Sequence, residues 1–245
     1  MSAATASSST SAPSRTSDIV YIEGNIGTGK STFVDLLQNY IKEFENKERY
    51  QPELVQEPVD EWMTTFDADG KNILERFYED QDRWSFTFQM NSFISRAHRI
   101  QDTRDKSSQS DKEPLLLVER SIYTDRFCFA QNCYESGKMT QMEYDIYCRW
   151  NDWLSNKFSL RPKAYIYLRC QPEINVIRIK ERSRSGECGI PLKYLQLLHN
   201  LHDSWMGKEK ETIPVFTIDA LRNFKDPEVM KEIFEELSEF LHSLD

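Results

Sequence analysis

Residues 21–33, YIEGNIGTGKSTF, limit the fold more than any other stretch of this chain. An apolar run ends at Gly24, the spacing G-x-x-x-x-G-K-S follows through Ser31, and apolar residues return at the helical period as Phe33, Leu36, Leu37, Tyr40, Ile41 and Phe44. Strand, glycine-bearing turn and helix in that order make a P-loop, because successive backbone N–H groups and the helix N-terminus then point at one place and hold an anion there. In such a loop Gly24, Asn25, Ile26, Gly27, Thr28 and Gly29 wrap a nucleoside triphosphate. Lys30 reaches the outer phosphates, Ser31 meets magnesium, and Thr32 completes the phosphate-binding set.

A loop of this kind sits on a parallel sheet. The runs DIVYIE (18–23), ELVQ (53–56), PLLLVE (114–119), KAYIYL (163–168) and IPVFTID (213–219) alternate with helical patterns, which predicts about five parallel strands covered on both faces. The expected class is α/β, a doubly wound P-loop fold with flanking helices and a helical lid. The segment PEVMKEIFEELSEFLHSL (227–244) predicts a closing amphipathic helix with Val229, Ile233, Leu237, Phe240 and Leu241 on its apolar stripe. RDKSSQSDKE (104–113) has no apolar residue and predicts a surface loop. Residues 1–17 read as a disordered Ser/Ala/Thr-rich tail, and 18–245 as one domain. The tail lacks the apolar run of a secretory signal and, with Arg15 alone, the arginines of an organelle presequence. The expected location is therefore cytoplasmic, with mitochondrial as the alternative.

Charge and cysteine usage narrow the partners. A net charge of -9 and a pI near 5.1 argue against a nucleic-acid polymer, whose backbone needs clustered Lys and Arg. No stretch approaches the roughly 18 unbroken apolar residues of a membrane span. Five cysteines without C-x-x-C spacing favour neither a zinc site nor a disulfide framework. A small anion in a local basic pocket remains.

Further residues gather around that anion. Glu119 ends an apolar strand, where open α/β sheets meet their ligands, and offers a second magnesium anchor; a strand-ending charge in water is the plainer reading. Arg120 follows and can neutralise charge on a transferred phosphoryl group. Glu57, held at a strand end by Pro58, can take the proton of an attacking hydroxyl, and equally can be a loop glutamate. Arg178 and Arg182 share a helix face, with Arg184 just beyond; they form either a lid over phosphates or a solvated basic helix.

The series EGNIGTGKSTF, EPVDEW, DRWSFTFQ, ERSIYTDRFCFA, the arginine-rich segment with GIPLKYL, and HDSW, in that order between residues 23 and 205, resembles the deoxyribonucleoside kinases. The closest resemblance is to the branch holding deoxycytidine and deoxyguanosine kinases. It implies transfer of the γ-phosphoryl of ATP to the 5'-hydroxyl of a 2'-deoxynucleoside, with Mg2+, in a homodimer, and feedback inhibition by an end-product deoxynucleoside triphosphate. Carried over by position, Glu57 is the general base, Glu119 the magnesium-side glutamate and Arg120 the arginine near the 5' position. Tyr78 and Glu187 grip the sugar 3'-hydroxyl. Gln89, Arg96 and Asp125 read the base, between apolar walls of Ile26, Trp62, Phe88 and Phe129. Gln89 and Arg96, seven apart, project from one helix face; Trp84 and Phe86 are expected as core.

The chain departs from the family at DALRNF (219–224), where Asn223 stands before Phe224 in place of a common acidic residue near the donor base. That leaves ATP or UTP open as donor. Ser92 matches the serine of deoxyguanosine kinases rather than the alanine of deoxycytidine kinases, so purine deoxynucleosides are expected first, deoxycytidine second and thymidine last. A thymidylate kinase would lack EPVDEW, and the N-K-x-D of a GTPase is absent from the sequence. A non-catalytic nucleotide-binding protein of the same fold would not need Lys30, Glu57 and Arg120 together.

Overall fold

Runs of Val, Ile, Leu and Tyr form the strands β1 (Asp18–Glu23), β2 (Tyr50–Val55), β3 (Glu113–Glu119), β4 (Ala164–Arg169) and β5 (Val215–Asp219). They lie in the order β2-β3-β1-β4-β5, and every pairing is parallel. This computed structural model describes residues 17–44, 50–107, 113–184, 187 and 189–244. The tail 1–16, residues 108–112 and Cys188 lie outside that set. The second strand begins before the expected ELVQ and ends at Val55, leaving Gln56 beyond it.

Side chains alternate across a strand, so the central β1 feeds two cores. Ile19 and Tyr21 join one, with Phe77, Phe93, Tyr147, Leu195 and Trp205. Val20 and Ile22 join the other, with Phe33, Val34, Leu37, Ile233 and Phe234. The helices that supply them are α1 (Lys30–Phe44), α2 (Val59–Thr64), α3 (Ile73–Glu79), α4 (Gln81–Ser107), α7 (Gln141–Lys157), α8 (Pro172–Arg182), α9 (Leu192–Glu209) and α10 (Pro227–His242). Between β3 and α7, a short α5 (Ile122–Thr124) runs through a π-helical segment (Asp125–Ala130) into α6 (Gln131–Glu135).

Three expectations need correction. The polar stretch from 104 does not open a loop: α4 continues to Ser107, because Arg104 is tied down by Ser17 Oγ at 2.7 Å, Ser159 O at 3.0 Å and Phe158 O. Trp84 is not core; it is half-buried under the guanidinium of Arg83, 4.7 Å from the ring centroid, whereas Phe86 packs against the core edge. The buried stripe of α10 is centred on Met230, Ile233, Phe234 and Leu237, with Val229, Phe240 and Leu241 on its flanks.

Candidate active site

The carboxyl ends of β1, β2 and β3 open onto a cavity of about 580 Å³. The loop after β1 needs glycine for two reasons at two positions. Gly24 has φ +149° and Gly27 +78°, and a Cβ there would lie 2.5 Å from Leu168 O and 2.7 Å from Asn175 O. Within the loop Lys30 Nζ donates to Gly24 O at 3.0 Å and Asn25 O at 2.7 Å. Burial, helped by nearby Arg120, pushes the Lys30 ammonium well below its usual pKa. A bound phosphate would reverse that shift.

Arg120 follows β3 in the left-handed region, at φ +62°. A non-glycine residue there costs about 1–3 kcal/mol and persists where its surroundings over-determine it. Here they do: its N–H donates to Ile22 O at 2.9 Å, Nη1 donates to Gly24 O at 2.8 Å, Nε lies 3.3 Å from Glu57 Oε1, and the guanidinium covers the Phe129 ring at 4.9 Å. Beside it Ser31 Oγ donates to Glu119 Oε1 at 2.8 Å. Hydroxyl and carboxylate are hard oxygen ligands of the kind Mg2+ takes, so the pair fits that ion.

Glu57 stands just past β2 and accepts from Arg96 Nη2 at 3.0 Å. Burial alone would raise its pKa, but Arg120, Arg96 and Lys30 prevail and hold the carboxyl well below the usual range. The group is a fixed anion that can orient a hydroxyl.

At the far end α4 and the π-helical segment meet. Arg96 Nε and Nη2 grip Asp125 Oδ2 and Oδ1 at 2.8 and 3.1 Å, Nη1 donates to Glu119 O at 3.1 Å, and Ser92 Oγ donates to Asp125 Oδ1 at 3.1 Å. A carboxylate has about four acceptor directions, so one on Oδ2 is left for a ligand. Gln89 Oε1 is buried with no partner among the described residues. Trp62 and Phe88 meet edge to face at 5.3 Å beside them.

The arginine-rich cover divides. Arg178 Nη1 turns to Thr28 O at 3.1 Å, while Arg182 and Arg184 both pair with Glu187, the latter at 3.1 Å. Glu187 thus sits between two guanidinium groups on the cavity wall, which Tyr78 also lines; the Tyr78 phenol is pushed up by burial and then by the Glu187 charge.

Most of the expected residues line this one space: Ile26, Gly27, Gly29, Lys30, Ser31, Thr32, Glu57, Trp62, Tyr78, Phe88, Gln89, Glu119, Arg120, Asp125, Phe129, Arg178, Arg182, Arg184, Glu187, Asn223 and Phe224. Four do not. Gly24, Asn25 and Thr28 turn inward, Asn25 Nδ2 donating to Leu195 O at 2.8 Å and Thr28 Oγ1 to Asn25 O at 3.1 Å. Arg96 lies behind the wall, with four of its five N–H donors bonded to Asp125, Glu57 and Glu119 O; it meets a base through Asp125. Asn223 Oδ1 is occupied by Lys225 N at 3.2 Å, which makes it a turn former.

Sequence reasoning passed over Phe77, Leu74, Glu181 and Lys225, all on the wall. Phe77 stacks on Phe88 at 4.6 Å. A signal for it existed: the capping box of Asn72 and Glu75 starts α3, and from there Leu74, Phe77 and Tyr78 follow at helical spacing. It also passed over Glu23, a fully buried carboxyl at the end of β1, although that residue ends an apolar run as Glu119 does.

The sequence model of the deoxynucleoside kinase family matches residues 20–242. Deoxycytidine kinase of Bos taurus is 37% identical over 247 residues, covering 92% of this chain and 91% of the relative. Deoxycytidine kinase of Homo sapiens is 36% identical with the same coverage of each chain. Mitochondrial thymidine kinase 2 of Homo sapiens is 32% identical over 221 residues, with 89% of this chain and 75% of the relative aligned.

Proposed function

The chain belongs to the deoxynucleoside kinase family and is a phosphotransferase using ATP to phosphorylate the 5'-hydroxyl of a deoxynucleoside; from that premise we propose that purine deoxynucleosides are its preferred acceptors, deoxycytidine the second and thymidine the poorest. The observation that carries this is the carboxylate of Asp125, anchored on one side by Arg96 and Ser92, with one acceptor direction left beside the Gln89 amide. An anionic acceptor there favours bases that carry an exocyclic amino group, as adenine, guanine and cytosine do, over thymine, which has none. Ser92 supports the purine-first order. A second reading places deoxycytidine first, supported by relatives named deoxycytidine kinase at 37% and 36% identity.

In the proposed mechanism the triphosphate of ATP lies in the loop of residues 24–32, and Lys30 exchanges its carbonyl partners for phosphate oxygens. Glu57 orients the 5'-hydroxyl and receives its proton as the bond forms. Arg120 and the arginines of the cover offset charge on the transferring group. Ser31 and Glu119 would hold Mg2+, which would supply shielding of the phosphate charge. Tyr78 and Glu187 hold the sugar, and Arg182 and Arg184 reach the phosphates through the motion that closes the cover. Phe224 borders the donor base, and Asn223, bound within its own turn, presents no acid to it; ATP as donor follows from the family rather than from this turn.

Residues 18–245 are taken as one kinase domain behind a tail of 1–17. The homodimer would form on α4 and α7, where Ile94, Trp150 and Trp153 are 46%, 51% and 54% exposed; light scattering of the eluting protein checks it. An end-product deoxynucleoside triphosphate is the proposed feedback inhibitor, filling phosphate and nucleoside sites together. Among the described residues no helix is long and apolar enough to cross a membrane. Cytoplasmic location is proposed, and a fluorescent fusion of the full chain tests it against mitochondria.

The deciding assay supplies ATP, Mg2+ and each of the four deoxynucleosides separately and measures 5'-monophosphate formed. Deoxyguanosine or deoxyadenosine with the highest kcat/KM supports the proposal. Thymidine as best substrate overturns the reading of Asp125, and deoxycytidine as best favours the second order.

A further inference from the structure

Nothing in the transfer just described uses Glu23. This residue ends β1, is 0% exposed, and immediately precedes the first glycine of the phosphate loop. Interior carboxyls persist where polar groups hold them. Glu23 Oε2 accepts from Thr124 Oγ1, while Oε1 has no partner among the described residues. An apolar side chain of similar size would remove that orphaned oxygen and its cost, so packing alone does not account for a carboxyl here.

Thr124 is buried behind the cavity wall, between Arg120 and Asp125 along the chain. Ser121 caps α5, its Oγ accepting from Tyr123 N at 3.2 Å and Thr124 N at 3.0 Å. Immediately before this turn stands Arg120, left-handed and tied to Gly24 O and Glu57; immediately after it stands Asp125, tied to Arg96. Glu23 therefore holds a short stretch with a phosphate-facing guanidinium at one end and the base-facing carboxylate at the other. Its own backbone runs on into Gly24, whose carbonyl receives both Lys30 Nζ at 3.0 Å and Arg120 Nη1 at 2.8 Å.

We propose that Glu23 is a positioning residue: through its bond with Thr124 it locks the 120–125 turn to the phosphate loop, so that the Arg120 guanidinium and the Asp125 carboxylate keep one fixed separation along the substrate. Small displacements of oriented groups are costly for transfer, on the order of 10²-fold for a 1 Å error. The inference rests on the roles proposed above for Arg120 and Asp125.

The test compares Thr124→Val, which keeps the shape and removes the hydroxyl, with Thr124→Ser, which keeps the hydroxyl and removes the methyl. Glu23→Ala and Glu23→Gln form the matching pair on the other side. With the best deoxynucleoside, Thr124→Val and Glu23→Ala should lower kcat roughly 10- to 100-fold with the KM for ATP within about twofold, since the loop backbone is untouched. Thr124→Ser and Glu23→Gln, which retain the bond, should stay within about threefold of wild type. If Glu23→Ala does not fold, the threonine pair decides alone. Wild-type kcat in Thr124→Val, an equal loss in Thr124→Ser, or a loss confined to the KM for ATP overturns the inference. A wild-type protein that phosphorylates no deoxynucleoside overturns the functional reading instead, so the two failures are distinguishable.

Discussion

The two ends of the cavity hold their cations by different means. At the phosphate end Lys30 and Arg120 are partnered by carbonyl oxygens of the loop, both reaching Gly24 O. At the base end Arg96 is partnered by carboxylates, two bonds to Asp125 and one to Glu57, and is 2% exposed. A neutral carbonyl is readily exchanged for a charged phosphate oxygen, which makes the stronger bond. A buried ion pair is not exchanged, since removing either partner strands the other in a medium that solvates it poorly. On the proposed assignment, the phosphate end is built to release its cations to a ligand, and the base end to keep its geometry whether or not a ligand is present. Glu57 belongs to both, 3.0 Å from Arg96 Nη2 and 3.3 Å from Arg120 Nε.

The sharpest break should come at that bridge. Glu57→Gln is expected to lower kcat by roughly 10² to 10⁴, the worth of a positioned general base, while leaving ATP affinity nearly intact. Steady-state rates with ATP titration check it; turnover within threefold of wild type would remove Glu57 from the chemistry.

Next in size, Asp125→Ala should destabilise the fold by about 3–5 kcal/mol, because Arg96 then loses two buried carboxylate bonds and keeps only Glu57 as an anionic partner, measured by urea unfolding. Adding Arg96→Met should recover much of that stability and move preference toward thymidine, because the edge of the base then meets no anion. A double variant as unstable as Asp125→Ala would show that the ion pair is not what makes the base end rigid.

Lys30→Ala should do the opposite: activity falls with the lost phosphate contact, while stability changes by less than about 1 kcal/mol, because only carbonyl bonds to a desolvated ammonium are removed. Arg182→Ala should slow transfer about tenfold, a lid contribution smaller than the 10³–10⁵ of a full arginine finger. Unchanged kcat there would detach the cover from the reaction.

The smallest effect belongs to the conservative change Glu23→Gln. Burial raises the Glu23 carboxyl from 4.5 to about 7, against the opposing pull of the Ser121 and Thr124 hydroxyls and the charges of Arg120 and Arg96. A raised folded-state pKa means the neutral form is favoured by folding; the stability it confers is complete below pH 4.5 and lost as pH rises through 7. Glu23→Gln cannot ionise, so its melting temperature should gain on wild type by a few degrees between pH 5 and pH 8. A constant difference between the two proteins across that range would show that Glu23 does not titrate there.

What could be read without coordinates divides along the same line. The motif GNIGTGKS spells its own site because the donors are consecutive backbone N–H groups: Lys30 reaches its carbonyl partners only five and six residues away. Glu119 and Glu57 were legible as carboxylates closing apolar runs. The end of α4 was not legible, because the polar composition from 104 resembles a loop and only contacts with Ser17 and the 158–159 turn keep it helical. Arg96 could be placed on the pocket face of its helix by spacing, but not behind Asp125, a residue 29 positions away. The π-helical turn of Asp125–Ala130, which brings Asp125 and Phe129 onto the same wall, has no sequence signal here.

The amino-acid sequence by itself therefore determined the sheet, the phosphate loop and the family, since each rests on local periodicity or on a run of consecutive residues. The tertiary structure alone decided which charges pair, which are spent behind the wall, and that Glu23 is buried against Thr124, a residue 101 positions away. Backbone dipoles are laid down by local conformation, whereas the position and protonation of a buried side chain depend on whatever distant elements are packed around it.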